Sequence, residues 1–122
     1  MNIHQSAEDY LEAILMLRLQ KGYSRSVDIA AMLGVTKPSV SIAMKRLREN
    51  GYIHMGDDNR ITLTQMGEDI ARRILERHHV LTDFLMNIGV SEETARADAC
   101  KIEHDLSEET FAAIQKHIEK NM

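Results

Sequence analysis

The chain has 122 residues, a net charge of −4, one cysteine and no tryptophan, a length that suits one compact domain or a small module whose helices need a partner chain to cover them. No stretch approaches the roughly 18 uninterrupted apolar residues of a membrane span, and the polar N-terminus lacks a signal-peptide core, so a soluble cytoplasmic protein with no membrane partner is expected. The acidity is uneven: residues 1–63 carry eight Lys/Arg against seven Asp/Glu, a balance of +1, whereas residues 64–122 carry seven against twelve, a balance of −5.

Taken in chain order, residues 4–20 space Tyr10, Leu11, Ile14, Leu15, Leu17 and Leu19 among polar residues at helical intervals. Ser6 with Asp9 marks a start and Lys21-Gly22 a stop. Asp9 and Glu12, three positions apart, then share a face of this helix. A shorter helix is predicted to follow a Ser26 cap and to run through Ile29, Ala30 and Leu33 to Gly34. Thr36 is placed to cap a third helix that has Pro38 in its first turn, where a missing amide costs little. The apolar Ile29, Leu33, Val35, Val40 and Ala43, with small Ala30 and turn-forming Gly34, suit two helices that cross steeply. The segment reads as a helix-turn-helix.

Between Thr36 and Asn50 there are four basic residues against one acid, a local surface sufficient to attract phosphates despite the overall charge. Side chains in the first half of a recognition helix point at base edges, and nearby cations hold the backbone. Thr36, Lys37, Pro38, Ser39, Ser41 and Ile42 are therefore candidates at or near bases and thymine methyls. Arg25, Lys45, Arg46, Arg48 and Arg60 are candidates for phosphates. Basic residues on a helix are more often simply its solvated face, so the weight comes from spacing, local charge and wing agreeing.

The wing is read from Tyr52-Ile53-His54 and Ile61-Thr62-Leu63, two short β-like runs separated by the turn-forming Gly56-Asp57-Asp58-Asn59. Thr64 then caps a long helix in which Met66, Ile70, Ile74, Leu81, Phe84, Leu85 and Ile88 form an apolar stripe before Gly89. Ser91 with Thr94 starts a further helix carrying Ala95, Ala99, Ile102 and Leu106. Ser107 caps a last one with Phe111, Ile114 and Ile118. So much apolar surface on a small chain is most economically buried against a two-fold copy, which also sets two recognition helices on successive major-groove faces; a homodimer is expected.

Chemistry concentrates in Cys100-Lys101-Ile102-Glu103-His104. If helical, the segment presents a thiol, a carboxylate and an imidazole at i, i+3 and i+4, where they can converge on one cation. Asp9 and Glu12, and His78 or His79 on the long helix, offer further ligands. Each alone is ordinary: a lone cysteine is commonly a small buried apolar residue, surface acids are usually solvated, and a single histidine is more often structural than ligating. The eight methionines, spread through apolar stripes, read as core filler. A competing reading makes the protein a winged-helix regulator that senses an oxidant or a small organic ligand through Cys100. An enzyme is not expected, because Cys100 sits mid-helix with no evident oxyanion donors or glycine-rich substrate loop, and no organic substrate is anticipated.

Ser6-Ala7-Glu8-Asp9-Tyr10-Leu11-Glu12, Pro38-Ser39-Val40-Ser41, Leu63-Thr64-Gln65-Met66-Gly67, Arg77-His78 and the run from Cys100 to Ser107 together resemble the metal-dependent repressors of the diphtheria toxin repressor and manganese transport regulator family. The resemblance is colinear and covers nearly the whole chain. It implies a mainly α protein, with a winged helix-turn-helix DNA-binding domain over residues 1–63 and a helical dimerisation and metal-binding domain over residues 64–122. It further implies a homodimer that binds double-stranded operator DNA of metal-uptake genes when Mn²⁺ or Fe²⁺ is plentiful. Matched position by position, the family's ligands fall on Asp9, Glu12, His78, Cys100, Glu103 and His104.

Two departures from the family pattern bear on the metal. The manganese-sensing branch has a carboxylate where this chain has Cys100, whereas the iron-sensing branch has a cysteine there but lacks the Asp9 and Glu12 pairing. Hard carboxylates favour Mn²⁺ and a thiolate favours Fe²⁺, Co²⁺ or Zn²⁺, so the resemblance leaves the metal open between Mn²⁺ and Fe²⁺. Iron-sensing relatives also carry a C-terminal SH3-like domain that adds ligands. Here the sequence ends at Met122, and any ancillary ligand is expected from within it. His79 points about 100° away from His78 around the helix, and Glu76 and Glu109 stay unassigned.

Overall fold

The computed structural model describes residues 5–120, in the order α1 (Gln5–Lys21), α2 (Ser26–Leu33), α3 (Lys37–Glu49), β1 (Ile53–Met55), β2 (Ile61–Leu63), α4 (Gln65–Asn87), α5 (Glu92–Ile102) and α6 (Glu108–Lys120). The expected helix start at residue 4 lies outside the described residues. The fold is mainly helical, with a two-stranded wing, and divides into two compact units, Met1–Arg73 and Ile74–Met122. The division falls within α4. Among the described residues no single helix is long and apolar enough to cross a membrane.

In the first unit α1 supplies the central core: Leu11, Ala13, Ile14, Leu15 and Leu17 are buried, with Ile29 and Ala30 from α2 and Val40, Met44 and Leu47 from α3. Leu19, expected in the same stripe, is 62% exposed in the last turn of α1. α2 and α3 bend by 116°, within the steep range that a helix-turn-helix needs. Gly34 makes that bend possible, because it takes the left-handed conformation (φ 66°) while its N–H is satisfied by the Ala30 carbonyl.

Three sequence-based boundaries are corrected. Ser6 is not a cap but lies inside α1. Ser26 does not cap α2 either: Arg25 holds the extended cap conformation, and its carbonyl accepts from Asp28 and Ile29, so Ser26 is already helical. The first wing strand is shifted by one residue, since the Tyr52 N–H closes on the Leu47 carbonyl at the end of α3 and the ladder begins at Ile53. The other caps form as the sequence dictates, with side-chain oxygens of Thr36, Thr64, Ser91 and Ser107 accepting from the amides of Ser39, Gly67, Thr94 and Thr110.

The strands pair antiparallel, Ile53 with Leu63, His54 with Thr62 and Met55 with Ile61. Buried Ile53 and Ile61 fix the wing to the core. The Ile61 N–H donates to the Ser24 carbonyl at 2.7 Å, which ties the wing to the segment between α1 and α2. At the start of α4, a Cβ on Gly67 would stand 2.1 Å from the Tyr52 carbonyl oxygen. Only a glycine lets the helix pass so near that backbone. One residue on, Glu68 accepts from Arg18 at 2.6 Å and from Arg72 at 3.0 Å, joining α1 to the first turn of α4.

In the second unit Ile74 and Leu81 of α4 and Ala95 and Ala99 of α5 are buried, whereas α6 buries no residue fully. Phe111 of α6 lies under the Arg77 guanidinium, 4.9 Å from ring centre to Cζ, and the same arginine donates to the Leu106 carbonyl at 2.8 Å. α5 was expected to reach Leu106 but ends at Ile102, with Glu103 as its cap residue and a turn before α6. The Leu106 N–H still closes on the Ile102 carbonyl, its own carbonyl accepts from Arg77, and Ser107 caps the next helix.

Two outcomes follow. Gly67→Ala should destabilise the protein by about 1–3 kcal/mol in chemical denaturation, despite the better helix propensity of alanine. Hydrogen bonds from Arg18, then Arg72, hold the Glu68 carboxyl below its usual value of 4.5. A lowered native pKa contributes stability that is complete above the ordinary carboxyl range and lost as pH falls through the native value. Denaturation midpoints measured from neutral pH downwards should therefore fall less steeply in Glu68→Gln than in the parent.

Candidate functional site

The surface that could meet nucleic acid is built on α3. Thr36 ends the turn, and its hydroxyl donates to the Ser39 hydroxyl at 2.8 Å while accepting the Ser39 amide. The bond orients Ser39 at the start of the helix. Val40, Met44 and Leu47 face the core, so the remaining positions turn outward: Lys37, Pro38, Ser39, Ser41 and Ile42 are all exposed, Ile42 at 58%. An exposed isoleucine on a recognition helix is a costly choice in water and a useful one against a thymine methyl.

The candidate phosphate contacts separate into two groups around α3. Arg25, Lys45 and Arg48 line a groove of about 540 Å³ between α2, α3 and the wing, together with Ser41, Met55 and Asn59. Among the described residues no carboxylate lines it. Arg46 instead lines a second groove of about 470 Å³ on another side of α3, beside Tyr10, Ile42 and Tyr52. Arg60, at the wing, pairs with Asp58 at 3.3 Å and lies over the ring of Tyr23, which Arg25 also approaches. Tyr23 escaped sequence reasoning because nothing local shows that its ring meets a residue on the wing.

Of the candidate metal ligands, Asp9 and Glu12 occupy α1 three positions apart; Asp9 is half-buried and Glu12 only 6% exposed. A carboxylate so enclosed needs compensation from charge or hydrogen bonds. In the second unit Glu103 is 2% exposed. It has a ligand-capable atom within 4.8 Å of one on Cys100, and likewise of one on His78. His104 Nε2 stands 3.4 Å from the Glu103 carboxylate. The helical cap conformation of Glu103 keeps it on the Cys100 face of α5, while His104 sits in the turn beyond.

His78 is oriented from behind. Its Nε2 lies 3.2 Å from the Arg96 carbonyl, which can only accept, so in that contact Nε2 carries the proton. Metal-bound histidines are commonly held in this way through their other nitrogen. His79, next along the helix, is exposed, as are Glu76 and Glu109. A thiol, two imidazoles and a carboxylate gathered in one unit suit a divalent transition ion better than Ca²⁺ or Mg²⁺, which prefer oxygen ligands alone.

Comparison with known proteins finds a DNA-binding domain followed by a metal-binding and dimerisation domain. Residues 2–59 match the family model described as iron dependent repressor, N-terminal DNA binding domain, and residues 64–121 match iron dependent repressor, metal binding and dimerisation domain. The transcriptional regulator MntR of Salmonella typhimurium is 43% identical over 106 residues, covering 87% of this chain and 68% of its own length. Among solved structures, IdeR of T. acidophilum superposes with a TM-score of 0.81 at 29% identity, over 98% of this chain and 55% of its own. A manganese-dependent transcriptional repressor in complex with manganese gives a TM-score of 0.81 at 28% identity, over 93% and 52%. The chain thus spans about half the length of those two solved proteins.

If the groove between α3 and the wing holds a phosphate backbone, Lys45→Ala should weaken binding to any duplex to a similar degree. It should also lower the slope of log affinity against log salt concentration by about 1. Fluorescence anisotropy across a salt series measures both.

Proposed function

This chain belongs to the iron dependent repressor family, and from that premise we propose that it is a cytoplasmic homodimer that binds operator DNA of metal-uptake genes when Mn²⁺ or Fe²⁺ is plentiful. Family membership makes it a metal-dependent, DNA-binding transcriptional repressor and not an enzyme, with a metal-binding and dimerisation domain following the DNA-binding domain. The proposed division between them lies at residues 63 and 64.

One observation carries the metal reading: the buried Glu103 carboxylate has donors of Cys100 and His78 within 4.8 Å and the His104 imidazole at 3.4 Å. We assign Asp9, Glu12, His78, Cys100, Glu103 and His104 as the ligand set, with α1 supplying the two acids. In this assignment a divalent cation would offset the charge of the carboxylates that hold it, and its binding would bias the protein between low and high operator affinity. The cation supplies charge and a preferred geometry; the residues supply the coupling.

Carboxylates at three of the six positions suit Mn²⁺, the ion in the solved complex of one relative. The Cys100 thiol is the softer element, and it favours Fe²⁺, with Co²⁺ and Zn²⁺ as further ions that the site would accept in vitro. DNA is read by α3 through Lys37, Pro38, Ser39, Ser41 and Ile42, capped by Thr36, with Arg25, Lys45, Arg46, Arg48 and Arg60 on phosphates.

A mobility shift on the gene's own promoter and on promoters of metal transporters, with Mn²⁺, Fe²⁺, Co²⁺, Zn²⁺ and chelator in parallel, tests effector and partner together. Glu103→Gln and Asp9→Asn should each lower metal-stimulated binding by at least about tenfold, or ~1.4 kcal/mol, while sedimentation still finds a folded dimer. Full metal response in both variants means that the ligand assignment is wrong. Cys100→Asp should shift the preference away from Co²⁺ and Zn²⁺ and towards Mn²⁺.

A further inference from the structure

We infer that Tyr23 is a positioning residue for DNA binding, its ring gathering the guanidinium groups of Arg25 and Arg60 into one phosphodiester-binding site where α2 meets the wing. Arg25 Cζ lies 5.4 Å and Arg60 Cζ 5.1 Å from the centre of that ring. Both are within the distance at which an aromatic face attracts a cation. The inference rests on the DNA-binding reading above and adds to it a residue outside the basic set.

Two cations drawn to one ring repel each other, so the arrangement is best satisfied by an anion that both can reach. Arg25 has no carboxylate partner among the described residues, and Arg60 has only the exposed Asp58, an ion pair of the kind worth little in water. A phosphodiester can displace it. The backbone supports the same geometry, because Arg25 is the cap residue of α2 in an extended conformation. The hydrogen bond from the Ile61 amide to the Ser24 carbonyl holds the two arginine-bearing segments side by side. Arg25 also lines the carboxylate-free groove with Lys45 and Arg48, which extends the site along the path of a nucleic-acid backbone.

Holding two long side chains in place before DNA arrives lowers the conformational entropy lost on binding. Tyr23→Leu, which keeps bulk but removes the π face, should lower affinity for a mixed-sequence DNA duplex about five- to tenfold in the presence of Mn²⁺. Tyr23→Phe should stay within about twofold of the parent, because the ring remains. In an Arg25→Ala/Arg60→Ala background, Tyr23→Leu should have no further effect, since the coupled partners are gone. A merely structural tyrosine gives the opposite pattern, with equal losses in both backgrounds and a lowered thermal midpoint. Tyr23→Met carries the same test if the leucine variant does not fold. Equal affinity of parent and Tyr23→Leu, or undiminished loss without the arginines, overturns the inference; failure of the parent itself to bind the duplex with any of Mn²⁺, Fe²⁺ or Co²⁺ overturns the DNA-binding reading instead.

Discussion

Keeping an ionisable carboxyl group at 2% exposure, as Glu103 is kept, costs several kcal/mol unless charge or donors surround it. The second unit is arranged around that constraint. α5 stops at Ile102, so that Glu103 falls on its last turn and His104 on the turn beyond, and the Ser107 cap and the Arg77 bond to the Leu106 carbonyl hold the stop in place. His78 is turned by the Arg96 carbonyl. Each of these features positions donor atoms rather than adding apolar burial, and α6, which buries no residue fully, contributes least to the core.

The first unit solves a different problem, which is to present α3 rigidly while leaving most of it in solvent. Val40, Met44 and Leu47 anchor one face. The remaining positions owe their placement to neighbours: the Thr36 cap, the turn at Gly34 and the wing fastened by Ile53 and Ile61. Gly67 and Glu68 then fix the start of α4 against the end of α3 and against α1. A recognition helix held from three sides gives up little conformational freedom when it docks, which favours affinity.

Much of this could be read in the chain itself. Helical spacing gave every helix, and hydroxyl residues three positions before an amide in need marked four of the caps. The errors lie where local signals compete. Ser26 is as good a cap by type as Thr36, but the extended Arg25 takes the position, and no residue-level preference foretells that. Leu106 continues the apolar spacing of α5, yet residues 103–105 form a turn that leads into the Ser107 cap of α6. Among the candidate ligands, the nearness of Cys100 to Glu103 is what helical periodicity leads one to expect, whereas the choice of His78 over His79 came from family resemblance. The separation of Arg46 from Arg25, Lys45 and Arg48 needed three dimensions, because it depends on the rotation of α3 against the wing. The meeting of Tyr23 with Arg60 was equally hidden, since it joins segments far apart in the sequence.

The aromatic content has a practical corollary. The sequence holds three tyrosines, two phenylalanines and no tryptophan, so ultraviolet emission excited beyond the weak phenylalanine band comes from the phenol rings. Tyr52 is shielded in the core, whereas Tyr23 sits half-exposed beneath two guanidinium groups. Tyr10 emits as well, so the share that belongs to Tyr23 is the difference from a Tyr23→Phe variant, and that difference is a label already built into the wing junction.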